Sequence, residues 1–177
     1  MLIGITGMSG SGKGTVVEYL KEKGFEYYSV SGFIGEEVER RGLMVDRDSL
    51  IAMGNELRSL YGADYILLQL IEKTKGRDAI IESVRTVGEV KTLKKNGGVL
   101  WAVTADQKLR YERVKLRGSN KDNVSFEKFC EQEKGELESD DMNKQNLKKC
   151  LEMADVVINN DGNIGELIIL IEEKING

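Results

Sequence analysis

The sequence predicts an α/β fold in which a five-stranded parallel sheet is flanked by helices. Three observations predict it. Short apolar runs alternate with longer amphipathic segments along the chain, the pattern of successive βα units. Five of these runs are rich in Val, Ile or aromatic residues and too short to be helices in their own right. A Gly-rich turn joins the first run to the first amphipathic segment.

Taken in order, Leu2 to Thr6 is the first strand, and Thr15 to Lys23 is a helix closed by Gly24. Phe25 to Val30 is the second strand. Three helices follow before the third: Phe33 to Arg41 stopped by Gly42, a segment capped by Asp48 or Ser49 and reaching Leu60, and one opened by Asp64 and closed at Gly76. They leave room for a substrate-gripping helical insertion over about residues 31–76. Ala79 to Glu82 is the third strand. Thr86 and Glu89 have capping-box spacing, so a helix starts there and stops at Asn96-Gly97.

Val99 to Val103 is the fourth strand, followed by a helix from about Asp106 to Arg117 ending at Gly118. Gly118 to Val124 has no apolar anchor before its last residue and reads as a loop, a short lid over about 118–125. Charge-rich helical sequence returns from Ser125 to about Cys150, interrupted by Gly135 and the acidic stretch 136–141. Asp155 to Ile158 is the last strand. Ile164 to Ile175 is apolar on every side around Leu167-Ile-Ile-Leu-Ile171, so it is expected to be buried on more than one face. Neither repeat nor linker divides the chain, which reads as one domain, 1–177.

Composition excludes whole classes of chemistry. There are 177 residues, 26 Lys+Arg against 30 Asp+Glu, no His, no Pro and two Cys. Without histidine there is no Ser/His/Asp triad, no Cys/His pair and no His-bearing zinc site, so general-base work falls to a carboxylate. Cys130 and Cys150 lack CxxC spacing and fit a reducing compartment. A net charge of −4 speaks against nucleic acid or an anionic membrane as the main partner. No stretch approaches the roughly eighteen apolar residues that span a bilayer, and no signal peptide is evident. A cytoplasmic monomer or homodimer is expected.

The strongest chemical signal is Gly7-Met-Ser-Gly10-Ser11-Gly12-Lys13-Gly14-Thr15, which follows a strand and opens a helix. In that context glycines let consecutive amides turn in around a phosphate. The helix N-terminus adds its unpaired N–H groups and Lys13 a mobile cation, the arrangement of a P-loop NTPase fold. Gly14 stands where the P-loop pattern has Ser or Thr, displacing the metal-ligating hydroxyl to Thr15.

This GxxGxGKGT form resembles the P-loop of adenylate kinase and its nucleoside monophosphate kinase relatives. Ile80-Ile-Glu82-Ser-Val-Arg85-Thr86 is similar to the strand-end acid and following Arg-Thr of those kinases, and Arg113-Val-Lys-Leu-Arg117 to their paired lid arginines. Ala154-Asp-Val-Val-Ile-Asn-Asn-Asp-Gly162 resembles the final strand and loop of dephospho-CoA kinases and of archaeal adenylate-kinase-related proteins, which the chain resembles over almost its whole length.

The resemblance implies ATP and Mg²⁺ as cofactors and a small phosphate-bearing, nucleotide-like acceptor. It implies donor contacts from Gly10, Ser11, Gly12, Lys13, Gly14 and Thr15, with Asn160 and Gly162 near the adenine. It gives Mg²⁺ to Thr15 and to Glu82, which stands in place of the family's Asp, and the acceptor's phosphate to Arg85. Arg113 would lie against the adenine and Arg117 would reach the phosphates. Residue chemistry alone leaves alternatives: Glu82 capping a turn, Arg85 pairing with Glu89, Arg110 acting in catalysis or pairing with Asp106. The family's acceptor-side Gly-Asp and Arg are absent from Ser31-Gly-Phe-Ile-Gly-Glu36, and Arg58 best matches the archaeal proteins as a substitute. A nucleoside or deoxynucleoside monophosphate kinase is the first reading. Phosphorylation of a hydroxyl, as in dephospho-CoA kinase, and a nucleotide-binding regulatory module with weak ATPase are the alternatives.

Overall fold

The computed structural model describes residues 1–118, 124–137 and 144–176. The chain runs β1 (Leu2–Thr6), α1 (Lys13–Glu22), β2 (Glu26–Ser29), α2 (Val30–Arg40), α3 (Arg47–Tyr61), α4 (Tyr65–Thr74), β3 (Ala79–Glu82) and α5 (Val87–Lys95). It continues through β4 (Val99–Thr104), α6 (Gln107–Arg117), α7 (Phe126–Leu137), α8 (Leu147–Glu152), β5 (Val156–Asn159) and α9 (Ile164–Asn176). The five strands form one parallel sheet in the order β2-β3-β1-β4-β5. The fold is therefore the α/β, five-stranded parallel sheet with flanking helices that the sequence predicts.

Alternation along the strands sorts the core into two layers. Ile3, Ile5, Ile80, Trp101, Val103 and Ile158 face α1 and α9, meeting Val16, Val17, Leu20, Leu167 and Ile171. Ile81 and Leu100 join the other layer with Ile34 and Val38 of α2, Leu57 of α3, Ile66 and Leu70 of α4 and Leu93 of α5. Burial on both faces explains why β1 and β3 read as continuous apolar runs.

Caps account for the shifts from the predicted boundaries. Ser29 accepts from the Gly32 N–H, so α2 starts at Val30 rather than Phe33. Asp46, not Asp48 or Ser49, caps α3 in a reciprocal box with Ser49. The Thr86–Glu89 box is present as expected.

The final helix departs from expectation. Leu167 and Ile171 are buried, but Ile164 and Ile169 are 66% and 58% exposed, because α9 lies beside the sheet's edge strand and is covered along one face only. Of the expected lid, residues 119–123 lie outside the described residues, as do 138–141 of the acidic stretch. Gly118 closes α6 in the left-handed conformation, φ 64°. None of the described helices is long and apolar enough to cross a membrane.

Candidate active site

The loop after β1, Tyr27 of β2, the end of β3, α6 and the segment after β5 line one cleft of about 940 Å³. The Gly7–Thr15 loop forms its floor. Gly10 and Gly12 have φ of 75° and 97°, and a Cβ at either would strike a neighbour: the Arg110 carbonyl at Gly10, the Asn160 amide at Gly12. Close approach of the loop to α6 and to the end of β5 thus requires glycine. The α1 N-terminus carries no side-chain cap and no acid in its first turn, which leaves its amides for an anion.

Lys13 Nζ folds back and donates to the carbonyls of Gly7 and Met8, both at 2.9 Å. Burial of the ammonium pushes its pKa down to about 8. The nearby Arg85 and Arg117 guanidiniums act in the same direction, against an opposing pull from Glu82 and Glu136. Thr15, in the first turn of α1, also lines the cleft. Ser11 lies behind the loop, fully buried, with no hydrogen-bond partner for its hydroxyl.

Asn160 ties three elements together. Its amide donates to the Ser11 carbonyl at 2.9 Å, its N–H to Thr104 O at 2.8 Å, and its carbonyl accepts from Arg113 Nη1 at 2.9 Å. Arg113, Arg117, Gly162, Ile164 and Leu167 complete this end of the cleft.

At the other end, Glu82 closes β3 directly beside β1, in register with Ile5, and opposite Ser29 of β2. Its Oε2 accepts from the Ser83 hydroxyl at 2.7 Å and from Ser29 at 3.3 Å. The Ser31 hydroxyl lies within 3.0 Å of Ser29 and 3.3 Å of Ser83. Ser83 holds the left-handed conformation, φ 69°, a strained choice for a residue with a Cβ and one that concentrates at functional sites. Arg85 lines the cleft and donates from Nη1 to Glu136 Oε2 at 2.8 Å and to Gln145 Oε1 at 3.3 Å.

Most residues singled out in the sequence thus meet in one cleft: Gly10, Gly12, Lys13, Gly14 and Thr15 from the loop, Glu82 and Arg85 after β3, Arg113 and Arg117 on α6, and Asn160 and Gly162 after β5. Two predicted site residues are not among them: Ser11, whose side chain is buried behind the loop, and Arg58, expected on the acceptor side. Arg58 is buried at 2% exposure, paired at 2.8 Å with the fully buried Glu89, and stands apart from the cleft. The same Glu89 accepts the backbone N–H groups of Arg85 and Thr86, at 2.8 and 3.1 Å. So Glu89 pairs with Arg58, and the Arg85 guanidinium goes to Glu136.

Arg110 pairs with neither substrate space nor Asp106. It is buried against Glu133 and donates to the carbonyls of Ala105 and of Ser9 in the loop, at 2.9 and 3.2 Å, while Asp106 caps α6. Tyr27, Ser31, Glu133, Glu136 and Gln145 carried no motif that would have marked them. No group of three or more acidic or thiol side chains able to hold a metal occurs among the described residues. One carboxylate and one hydroxyl, Glu82 and Thr15, suit a Mg²⁺ that keeps waters and binds mainly through phosphate oxygens.

A family model described as an AAA domain matches residues 3–138. A UPF0200 protein of Sulfurisphaera tokodaii is 33% identical, the match covering 98% of this chain and 95% of that one. Another from Pyrobaculum aerophilum is 30% identical over 90% and 87%. Among solved structures, shikimate kinase from Bacteroides thetaiotaomicron superposes with a TM-score of 0.65 at 12% identity, covering 100% and 99% of the two chains. Dephospho-CoA kinase from Campylobacter jejuni gives 0.58 at 15%, covering 99% and 95%. The chain belongs to the AAA domain family and to the UPF0200 proteins, with a P-loop kinase fold.

Proposed function

We propose that this AAA-domain protein transfers the γ-phosphoryl group of ATP, with Mg²⁺, to a small phosphate-bearing acceptor, a nucleoside or deoxynucleoside monophosphate. The observation that carries the reading is the convergence of Lys13, Arg85, Arg113, Arg117 and Glu82 on one cleft roomy enough for two ligands. Phosphoryl transfer asks a protein chiefly to place donor and acceptor in line and to neutralise phosphate charge.

Lys13 and the loop amides hold the donor's phosphates. Arg113 and Asn160 border the donor's base, and Arg117, one turn further along α6, stands toward its phosphates. Glu82 and Thr15 would hold Mg²⁺, which when bound neutralises charge on the phosphate oxygens. Arg85 takes the acceptor's phosphate, where a planar fork matches paired oxygens.

One observation favours a second reading, phosphorylation of a hydroxyl. Ser29, Ser31 and Ser83 place three hydroxyls around Glu82, a carboxylate of the cleft lining that would accept a hydroxyl's proton. Incubating the protein and MgATP with nucleoside monophosphates, deoxynucleoside monophosphates, dephospho-CoA, shikimate and gluconate, with ADP and phosphorylated products followed by mass spectrometry, separates the two. A diphosphate product from a monophosphate supports the first. A product phosphorylated at a hydroxyl supports the second, and ADP without any phosphorylated acceptor overturns both.

A further inference from the structure

The helix α7 carries two glutamates three residues apart, hence on one face. Each takes an arginine. Glu133, 5% exposed, receives Arg110 and the Gln107 amide, the latter at 2.9 Å. Glu136 receives Arg85 at 2.8 Å, with side-chain exposures of 23% for the arginine and 13% for the glutamate. The two pairs differ in what the arginine faces. Arg110 is sealed between α6, α7 and the loop, whereas Arg85 forms part of the cleft wall beside Lys13 and Glu82. A carboxylate on a guanidinium presents the same charge sign and the same paired oxygens as a ligand phosphate or carboxylate.

The geometry points to Glu136 as a resident competitor for the acceptor's oxyanion: an anionic acceptor reaches Arg85 by displacing the Glu136 carboxylate, and the last turn of α7, beyond Glu133, yields with it. The inference rests on the reading of Arg85 as the acceptor's anchor. It adds a selection rule. An acceptor without an anionic group cannot break the Arg85–Glu136 pair, so it meets a site whose guanidinium is already satisfied. The field of Glu136 also reaches Lys13, so its negative charge stands against the space that phosphates would enter.

The helix is held at its N-terminal turns and again at Glu133, while Lys134 and Gly135, just before Glu136, are exposed. Its N-terminal turns are anchored on α6: the Tyr111 ring lies 5.2 and 5.5 Å from the rings of Phe126 and Phe129, and its hydroxyl donates to the Val124 carbonyl at 3.0 Å. Phe129 is buried. Glu136 lies one residue before the end of the helix.

The test is calorimetric titration of orthophosphate into the full chain with the donor site filled by MgADP, comparing wild type, Glu136→Gln, Arg85→Ala and the double variant. The inference expects Glu136→Gln to bind orthophosphate roughly fivefold tighter or more, and expects that gain to vanish when Arg85 is also removed. Unchanged or weaker binding overturns it, as does a gain that survives Arg85→Ala. If Glu136→Gln fails to fold, hydrogen exchange on the wild-type protein decides. Orthophosphate should speed exchange of the amides of 134–137, and unchanged or slower exchange overturns the inference. ADP affinity, measured separately, isolates the underlying reading: absence of ADP binding in every variant refutes the donor assignment, while the orthophosphate comparison, run without ADP, still judges Glu136.

Discussion

The two ends of the cleft, proposed above for donor and acceptor, are built on different principles. At the donor end the chain is positioned by its own main chain. Gly10 and Gly12 turn the loop, Lys13 rests on the carbonyls of Gly7 and Met8, and Arg113 rests on the carbonyl of Asn160. At the acceptor end positions are set by charged side chains from distant parts of the sequence, Arg58 with Glu89 and Arg85 with Glu136. Carbonyl partners hold a cation without cancelling its charge, so the donor end stays electrostatically open to phosphate. Carboxylate partners do cancel it, so the Arg85 guanidinium is neutralised by Glu136 until a ligand intervenes.

The largest effect expected is on the acceptor end's foundation. Glu89 is fully buried and serves both Arg58 and the Arg85–Thr86 backbone. Glu89→Ala leaves the Arg58 guanidinium buried without its carboxylate, which typically costs about 3–5 kcal/mol. Chemical denaturation should register that loss, and an unchanged midpoint would break the claim that this end hangs on a buried pair.

Next is the donor cation. Lys13→Met should fold normally and lose transfer by two orders of magnitude or more, since a transition-state charge contact is commonly worth about 3–4 kcal/mol. Initial-rate assays of ADP formation measure it, and wild-type turnover would remove the loop from the mechanism.

Protonation of the same group sharpens the contrast. In the free protein the Lys13 pKa is lowered to about 8, so below that pH the ammonium is charged and ATP affinity should be flat. Phosphate raises the pKa, so binding takes up a proton at higher pH, and affinity should fall by up to about tenfold per unit as pH rises above 8. Lys13→Arg, which stays charged, should flatten the profile. Titrations of ATP across pH 7 to 10 read both.

The same division governs what was legible in the sequence. Strands buried on both faces appear as short apolar runs, the capping box of Thr86 and Glu89 is local, and the P-loop is nine consecutive residues. Each is a pattern that neighbouring residues can specify. Arg58 is offered to the acceptor side by resemblance alone, and no local pattern shows its partner Glu89, thirty-one positions away and across an element boundary. Arg110 was likewise open between two roles until α7 brought Glu133 to it. The final helix shows the limit on the apolar side: an all-round apolar pattern cannot tell which face a sheet edge will leave uncovered, and Ile164 and Ile169 remain exposed.

The central claim is that donor and acceptor approach Lys13 from opposite ends of one cleft, with Arg113 at the first and Arg85 at the second. Separate titrations of ATP and of the best acceptor into Arg113→Ala and Arg85→Ala test it most directly. A partly desolvated Arg–phosphate contact is commonly worth about 1.5–3 kcal/mol. Arg85→Ala should therefore weaken the acceptor by roughly tenfold or more while ATP binding stays near wild type, and Arg113→Ala should do the reverse. Loss of ATP with retention of the acceptor in Arg85→Ala would contradict the account and exchange the two ends of the site.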